Sequence, residues 1–294
     1  MKAAGEFILH PGEIRLLERL RLNPRKVTGG RIRGDRLTRK KGVSIEFADY
    51  RDYTDGDDVR HLDWNVLARM QTPVIRTYQD EEDVAVYVLL DCSTSMDFGD
   101  PSKFAAAKRI AAAIGYIALC GSDALHSQAM GRKQAVTRAL RGRTSFLKFD
   151  SWLSDQHAEC DTALTEVLRN FTAGKSRPGL AIVMSDGLDP GICEAVARLG
   201  SRGHEVAFIQ ILAPEEIDPD IEGDLRLLDS ESQSAVEITA NSQAIREYKN
   251  SLQKHCEALA SACRRVGGRY VQVTTRDSIQ SLVKDKLRRG GWVT

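Results

Sequence analysis

The chain lacks the marks of several common classes of protein. Its six cysteines, Cys92, Cys120, Cys160, Cys193, Cys256 and Cys263, are scattered with no Cys-x-x-Cys pair. That spacing argues against a zinc site and reads as reduced, mostly buried thiols of a cytosolic protein. None of the six histidines shows ligand spacing or stands beside a Ser or Cys motif, so no nucleophile relay is legible. No apolar run reaches the length of a membrane span. The opening Met1-Lys2-Ala3-Ala4-Gly5-Glu6 lacks the basic-then-apolar layout of a secretory signal, so a cytoplasmic protein without an integral membrane segment is expected.

Charge of one sign is also missing. Lys and Arg number 42 against 41 Asp and Glu, a formal net charge of +1, so bulk charge draws no polyanion. Aromatics make up 6% of the chain, and none interleaves the basic residues between Arg25 and Lys41. Nucleic acid is therefore not an expected partner, and that stretch reads as a surface segment, with a basic patch for an acidic partner left open. Ala173-Gly174-Lys175-Ser176 is no phosphate loop: Arg169 stands where the first Gly is needed, and a helix is expected where a strand should precede.

What the chain does have is a core. At 294 residues and 42% hydrophobic it can build one sizeable domain plus an extension. Val84-Ala85-Val86-Tyr87-Val88-Leu89-Leu90 is an apolar run of the kind buried on both faces of a parallel sheet. It ends abruptly in Asp91-Cys92-Ser93-Thr94-Ser95. Ligands of such sheets sit beyond the carboxyl ends of the strands, and there the oxygens of Asp91, Ser93 and Ser95 can converge. Hard oxygen donors suit Mg²⁺ or Ca²⁺. A second run, Leu180-Ala181-Ile182-Val183-Met184, ends in Ser185-Asp186-Gly187. If the two strands are parallel neighbours, Asp91 and Asp186 meet at one edge. Without a cation, one of the two carboxylates would have to take up a proton.

Asp-x-Ser-x-Ser after one strand and Ser-Asp-Gly after another resemble the von Willebrand factor A fold and its metal-ion-dependent adhesion site. The resemblance implies a ligand set of Asp91, Ser93, Ser95 and Asp186 with a loop threonine. Thr162 fits that last place best and Thr165 is the alternative, with Cys160 and Asp161 where the family usually carries Gly. A second stretch, Tyr53-x-x-Gly56-Asp57-Asp58-x-Arg60-x-x-Asp63-Trp64 followed by Ala68-Arg69, resembles the bacterial domain-of-unknown-function family fifty-eight, whose members carry such a domain. Its genes often neighbour those of MoxR-type AAA+ ATPases, so the resemblance implies an ATPase partner.

Strands and helices alternate along the rest of the chain, which predicts a doubly wound, mostly parallel α/β sheet. The expected division is an N-terminal extension over 1–80 and the von Willebrand A-like domain over 81–294. The extension would hold a short helix opened near Pro11, the basic segment, the Gly56–Trp64 motif and a hairpin. In the helix, Ile14, Leu17 and Leu20 share one face. In the motif, Asp57 would cap a short turn, Arg60 would pair with Asp57 or Asp63, and Trp64 would pack underneath. The alternation of Val66, Ala68 and Met70, then of Val74, Arg76 and Tyr78, suggests the hairpin, with a helix over 58–69 as competitor.

Three functions compete. In the first, Asp91, Ser93, Ser95, Thr162 and Asp186 hold Mg²⁺, with Mn²⁺ or Ca²⁺ as alternatives. One coordination position is left for a partner's carboxylate, as in a non-enzymatic adaptor or co-chaperone of a MoxR-type ATPase. In the second, a metal-independent scaffold binds through Asp57, Asp58, Arg60, Asp63 and Trp64. In the third, Asp91 is the nucleophile of a Mg²⁺-dependent phosphohydrolase. The third fits least, because Ser93 stands where such enzymes need a second acid.

Overall fold

Pro11 opens helix α1 (Pro11–Leu17), and the Glu13 carboxylate accepts the His10 N–H at 2.9 Å, so the helix start is satisfied locally. The computed structural model describes residues 7–25, 46–79, 84–131, 135–159, 164–174, 176–228 and 235–294. The basic residues between Lys26 and Lys41 lie outside them. The chain divides into two units, Met1–Gly30 with Val84–Thr294, and Arg31–Asp83. The N-terminal helix thus falls with the large unit and not with an extension over 1–80. Leu9, Leu17 and Leu20 are buried in the large unit's core, and Ile14 packs against it.

The small unit pairs β1 (Glu46–Asp52) antiparallel with β2 (Val74–Gln79) around α2 (Trp64–Met70). The expected hairpin through Val66–Met70 is therefore wrong, and the helical competitor is nearer the truth. Asp63 decides it by accepting the Asn65 and Val66 N–H groups at the helix start, a capping bond that overrides the period-two pattern.

The large unit follows as β3 (Ala85–Asp91), α3 (Lys103–Cys120), β4 (Ala124–Met130), α4 (Phe146–Ser154), α5 (Leu164–Ala173), β5 (Leu180–Ser185) and α6 (Ile192–Ser201). It continues as β6 (Glu205–Leu212), the one-turn α7 (Pro214–Ile217), a separate hairpin of β7 (Gly223–Leu228) and β8 (Ala235–Ala240), and α8 (Ser242–Arg265). It ends with β9 (Arg269–Thr274) and α9 (Ile279–Ser281, continuing as a π-helical stretch over Leu282–Leu287). Five strands form one parallel sheet in the order β4-β3-β5-β6-β9. Alternation along β3 splits the core: Val86, Val88 and Leu90 face α1, α3, α4 and α9, while Ala85, Tyr87 and Leu89 face α5, α6 and α8. The sheet is doubly wound as the sequence predicts.

A buried ion pair closes the amino edge of the sheet. Glu205 opens β6 and Arg269 opens β9; they pair at 3.1 Å with side chains 0% and 6% exposed. Arg269 also donates to the carbonyls of Gly291 and Asn23, and Arg25 donates its N–H to Glu205. Both chain ends of the large unit are thereby tied to the edge opposite Asp91. Glu205→Ala would leave the guanidinium buried without a counter-ion, and chemical denaturation should show a loss of about 3–5 kcal/mol. A loss well under 1 kcal/mol would show that the pair is not a structural tie.

Candidate metal centre

Strand order fixes where a site can form. From β3 the chain goes outward to β4 and then returns to the other side of β3 as β5. The crevice between the carboxyl ends of β3 and β5 is the topological switch point, where open α/β sheets bind ligands. Leu90 pairs with Met184 across these strands, so Asp91 lies level with Ser185, and Asp186 follows. The two acids separated in sequence are brought to one edge.

Asp91 is 2% exposed and both its oxygens are aimed by neighbours. Oδ1 accepts the Ser93 N–H at 2.9 Å, and Oδ2 accepts the Ser185 hydroxyl at 2.6 Å. Ser185 Oγ in turn accepts the Gly187 N–H at 2.8 Å. The hydroxyls of Ser93 and Ser95 lie 3.0 Å apart, the first buried and the second half-buried, as a short 3₁₀ turn (Thr94–Asp97) folds the loop back. Burial, and then the charge of Asp186, push the Asp91 carboxyl up to about 6. This is the conflict between adjacent carboxylates that the sequence suggests, and it eases when positive charge enters.

Some positive charge is already built in. Lys103 is 1% exposed, and its Nζ donates to Asp186 Oδ2 at 2.7 Å and to Glu216 Oε1, on α7, at 2.6 Å. Burial, the largest single influence, would lower its pKa, but Asp186 and Glu216 outweigh it and hold the ammonium protonated. Lys103 occupies the first residue of α3, behind the N-cap Ser102, where the helix dipole disfavours a cation. The carboxylates overcome that preference. Asp186 Oδ1 accepts the Leu188 N–H at 3.2 Å, its carbonyl accepts Gln210 Nε2 at 2.7 Å, and the Gly187 carbonyl is bonded to His255 Nε2 at 2.6 Å. Two carboxylates, Asp186 and Glu216, thus share one ammonium, and Asp91 has none of its own among the described residues.

The donor set left open, one carboxylate and two hydroxyls, is all oxygen and fits a hard divalent cation. Among the described residues no three His, Cys, Asp or Glu side chains converge as a metal site, so any cation here relies on the serine hydroxyls. The chain after α4 reaches the site at Glu159, whose N–H donates to the Cys92 carbonyl at 3.2 Å. Thr162 lies outside the described residues. Thr165 spends both its N–H and its hydroxyl on Asp189, at 3.0 and 3.3 Å. Sequence reasoning missed Lys103, Glu216 and Ser185. The available signal was a lone lysine in the first turn of an alanine-rich helix, against the dipole.

In the small unit the expected binding acids are spent on local structure. Asp57 accepts from Thr54 N, Thr54 Oγ1 and Arg51, and this bonding with Arg51 foremost holds its carboxyl well below the usual range. The cap of the turn at Val59–His61 is Asp58, not Asp57: it accepts the Arg60 N–H at 3.0 Å and pairs with the Arg60 guanidinium at 2.6 Å. Arg60 thus pairs with neither Asp57 nor Asp63, because the residue that caps the turn also lies nearest its side chain. Asp63 is 2% exposed and accepts the Tyr50 hydroxyl at 3.1 Å besides capping α2. Trp64 does not pack underneath, being 61% exposed.

Asp91 supplies a pH test with chelator present. Its carboxyl titrates at 3.8 in an unfolded chain and at about 6 in the folded one. The folded state holds a proton that the unfolded state has released, so stability falls as pH rises through that window and the deficit, about 3 kcal/mol, is complete above it. Asp91→Asn should be more stable than wild type by about that amount near pH 8 and lose the advantage near pH 4. Parallel stability profiles for the two proteins would contradict this.

The family described as "Protein of unknown function DUF58" matches residues 49–258. Uncharacterized proteins of Mycobacterium bovis and Mycobacterium tuberculosis are each 28% identical over 277 residues, 91% of this chain and 87% of theirs. Among solved structures the chain is similar to the conserved hypothetical protein BatB from Bacteroides thetaiotaomicron, with TM-score 0.45 and 17% identity over 70% of this chain and 98% of that one. It is also similar to an aerotolerance-related membrane protein from Bacteroides fragilis, with TM-score 0.43 and 17% identity over 71% of this chain and 98% of that one. Among the described residues no helix is long and apolar enough to cross a membrane.

Proposed function

This chain belongs to the family described as Protein of unknown function DUF58, and from that footing we propose that it is a cytoplasmic, non-enzymatic binding module whose switch-point crevice recruits a partner through Mg²⁺. The observation that carries the reading is the Asp91 carboxyl, its pKa raised first by burial and then by the charge of Asp186, beside the paired hydroxyls of Ser93 and Ser95. Asp91, Ser93 and Ser95 would hold the ion, with Thr162 as the expected loop ligand. Asp186, already engaged by Lys103, would act on it through solvent. Mg²⁺ keeps waters readily, and Mn²⁺ or Ca²⁺ could replace it. The ion would supply an open position for a carboxylate from a partner, making association metal-dependent.

The protein partner we propose is a MoxR-type AAA+ ATPase or its client, with this chain as adaptor or co-chaperone. The support is the family resemblance and a site chemistry that calls for an acidic side chain. Hydrolase chemistry is disfavoured by Ser93, which leaves Asp91 without an acid two residues on.

One observation favours a second reading, in which the small unit binds without metal. Val59, Trp64 and Met70 are 52%, 61% and 71% exposed within one short stretch, a composition suited to an interface. Co-purification of a MoxR-type ATPase from the same organism, with and without EDTA, separates the two. The metal-dependent reading expects EDTA to release the partner; retention in EDTA supports the small-unit surface.

Asp91→Ala should abolish Mg²⁺ or Mn²⁺ binding in calorimetric titration while leaving the circular dichroism of the folded protein unchanged. Equal affinities for folded variant and wild type would remove Asp91 from the site.

A further inference from the structure

Away from the carboxyl edge, a cavity of about 480 Å³ opens against the first residues of β3 and β4, on the face shared with α5. Its wall is aromatic. Tyr87 stacks on His126 with ring centroids 4.9 Å apart and planes at 21°, and Phe171 meets Tyr87 edge-on at 5.3 Å. The Tyr87 hydroxyl is fixed by the Arg177 carbonyl at 2.8 Å, so the rings are held in place. Arg141 and Arg177 line the same cavity, together with Gln128 from the edge strand.

Arg141 and Arg177 are both exposed where they line the cavity. The His126 ring sits below its ordinary pKa, first through burial and then through the fields of Arg141 and Arg177. The imidazole is therefore neutral at neutral pH, available for stacking, inside a positive potential made by the two arginines.

We propose that this cavity binds a mononucleotide. The aromatic wall would pack the base, and the Arg141 and Arg177 guanidinium groups would take the phosphate. Base–aromatic stacking tolerates any base, and arginine's planar fork matches phosphate oxygens. Size decides against a lone anion: the cavity lies within the roughly 300–1,000 Å³ typical of sites for drug-sized ligands. The reading does not depend on the metal centre, since the lining comes from the amino-terminal and middle parts of β3 and β4.

Calorimetry on the full chain tests it with AMP, adenosine and inorganic phosphate as separate probes. We expect saturable binding of AMP, with adenosine and phosphate each about tenfold weaker or more, because each keeps half of the contacts. The double variant Arg141→Ala/Arg177→Ala should weaken AMP by about tenfold or more with an unchanged melting temperature, as both side chains are on the surface. Ala139→Trp, which fills the mouth from an exposed position, should block AMP. Absence of saturable AMP binding in the low millimolar range, phosphate binding as tightly as AMP, or wild-type affinity in both variants would overturn the proposal.

Discussion

Charge balance in the crevice between β3 and β5 is the constraint on which this structure turns. Parallel pairing of two buried strands forces Asp91 and Asp186 to one edge, where they are 2% and 4% exposed. Like charges held close in a poorly solvated place must be neutralised by a proton, an internal cation or an external one. The fold uses the second for Asp186, by driving Lys103 into the first turn of α3 and adding Glu216 from α7. For Asp91, among the described residues, it supplies only hydroxyls and an N–H. The asymmetry matters: one acid of the pair is internally satisfied, and the other stays under-neutralised beside two serine hydroxyls. On the reading proposed above, a divalent ion takes that second place at neutral pH.

The large sheet was legible because buried parallel strands leave near-continuous apolar runs. Leu180–Met184 and His204–Leu212 needed little beyond that to be read as β5 and β6. Helix α8 carries sequence signals of the same plain kind, with Asn241 as its cap and Gly267-Gly268 just beyond its end. The meeting of Asp91 with Asp186 was also readable, since it needs only parallel adjacency and ligand placement at strand ends. Lys103 was not. Its place against the helix dipole was a weak signal, but nothing in its neighbours announces burial. Its place depends on Glu216, more than a hundred residues away, which no local pattern can indicate.

The small unit shows a different limit. Asp57, Asp58 and Asp63 look like a recognition surface because they are dense and charged. In the folded chain each accepts backbone N–H groups two or three residues away, which is the ordinary use of Asp at turns and helix starts. Trp64 has the opposite history: it reads as core and stands in solvent. Composition singled out this stretch but misjudged how its residues are used, because capping is decided by one or two hydrogen bonds and exposure by what the neighbouring elements leave uncovered.

Diffraction at the manganese edge from crystals of the full chain grown with Mn²⁺ addresses the central claim most directly. The account predicts an anomalous peak bound by the side-chain oxygens of Asp91, Ser93 and Ser95, with Lys103 still paired to Asp186. No peak in that crevice at saturating Mn²⁺, or a peak held only elsewhere on the molecule, would contradict it.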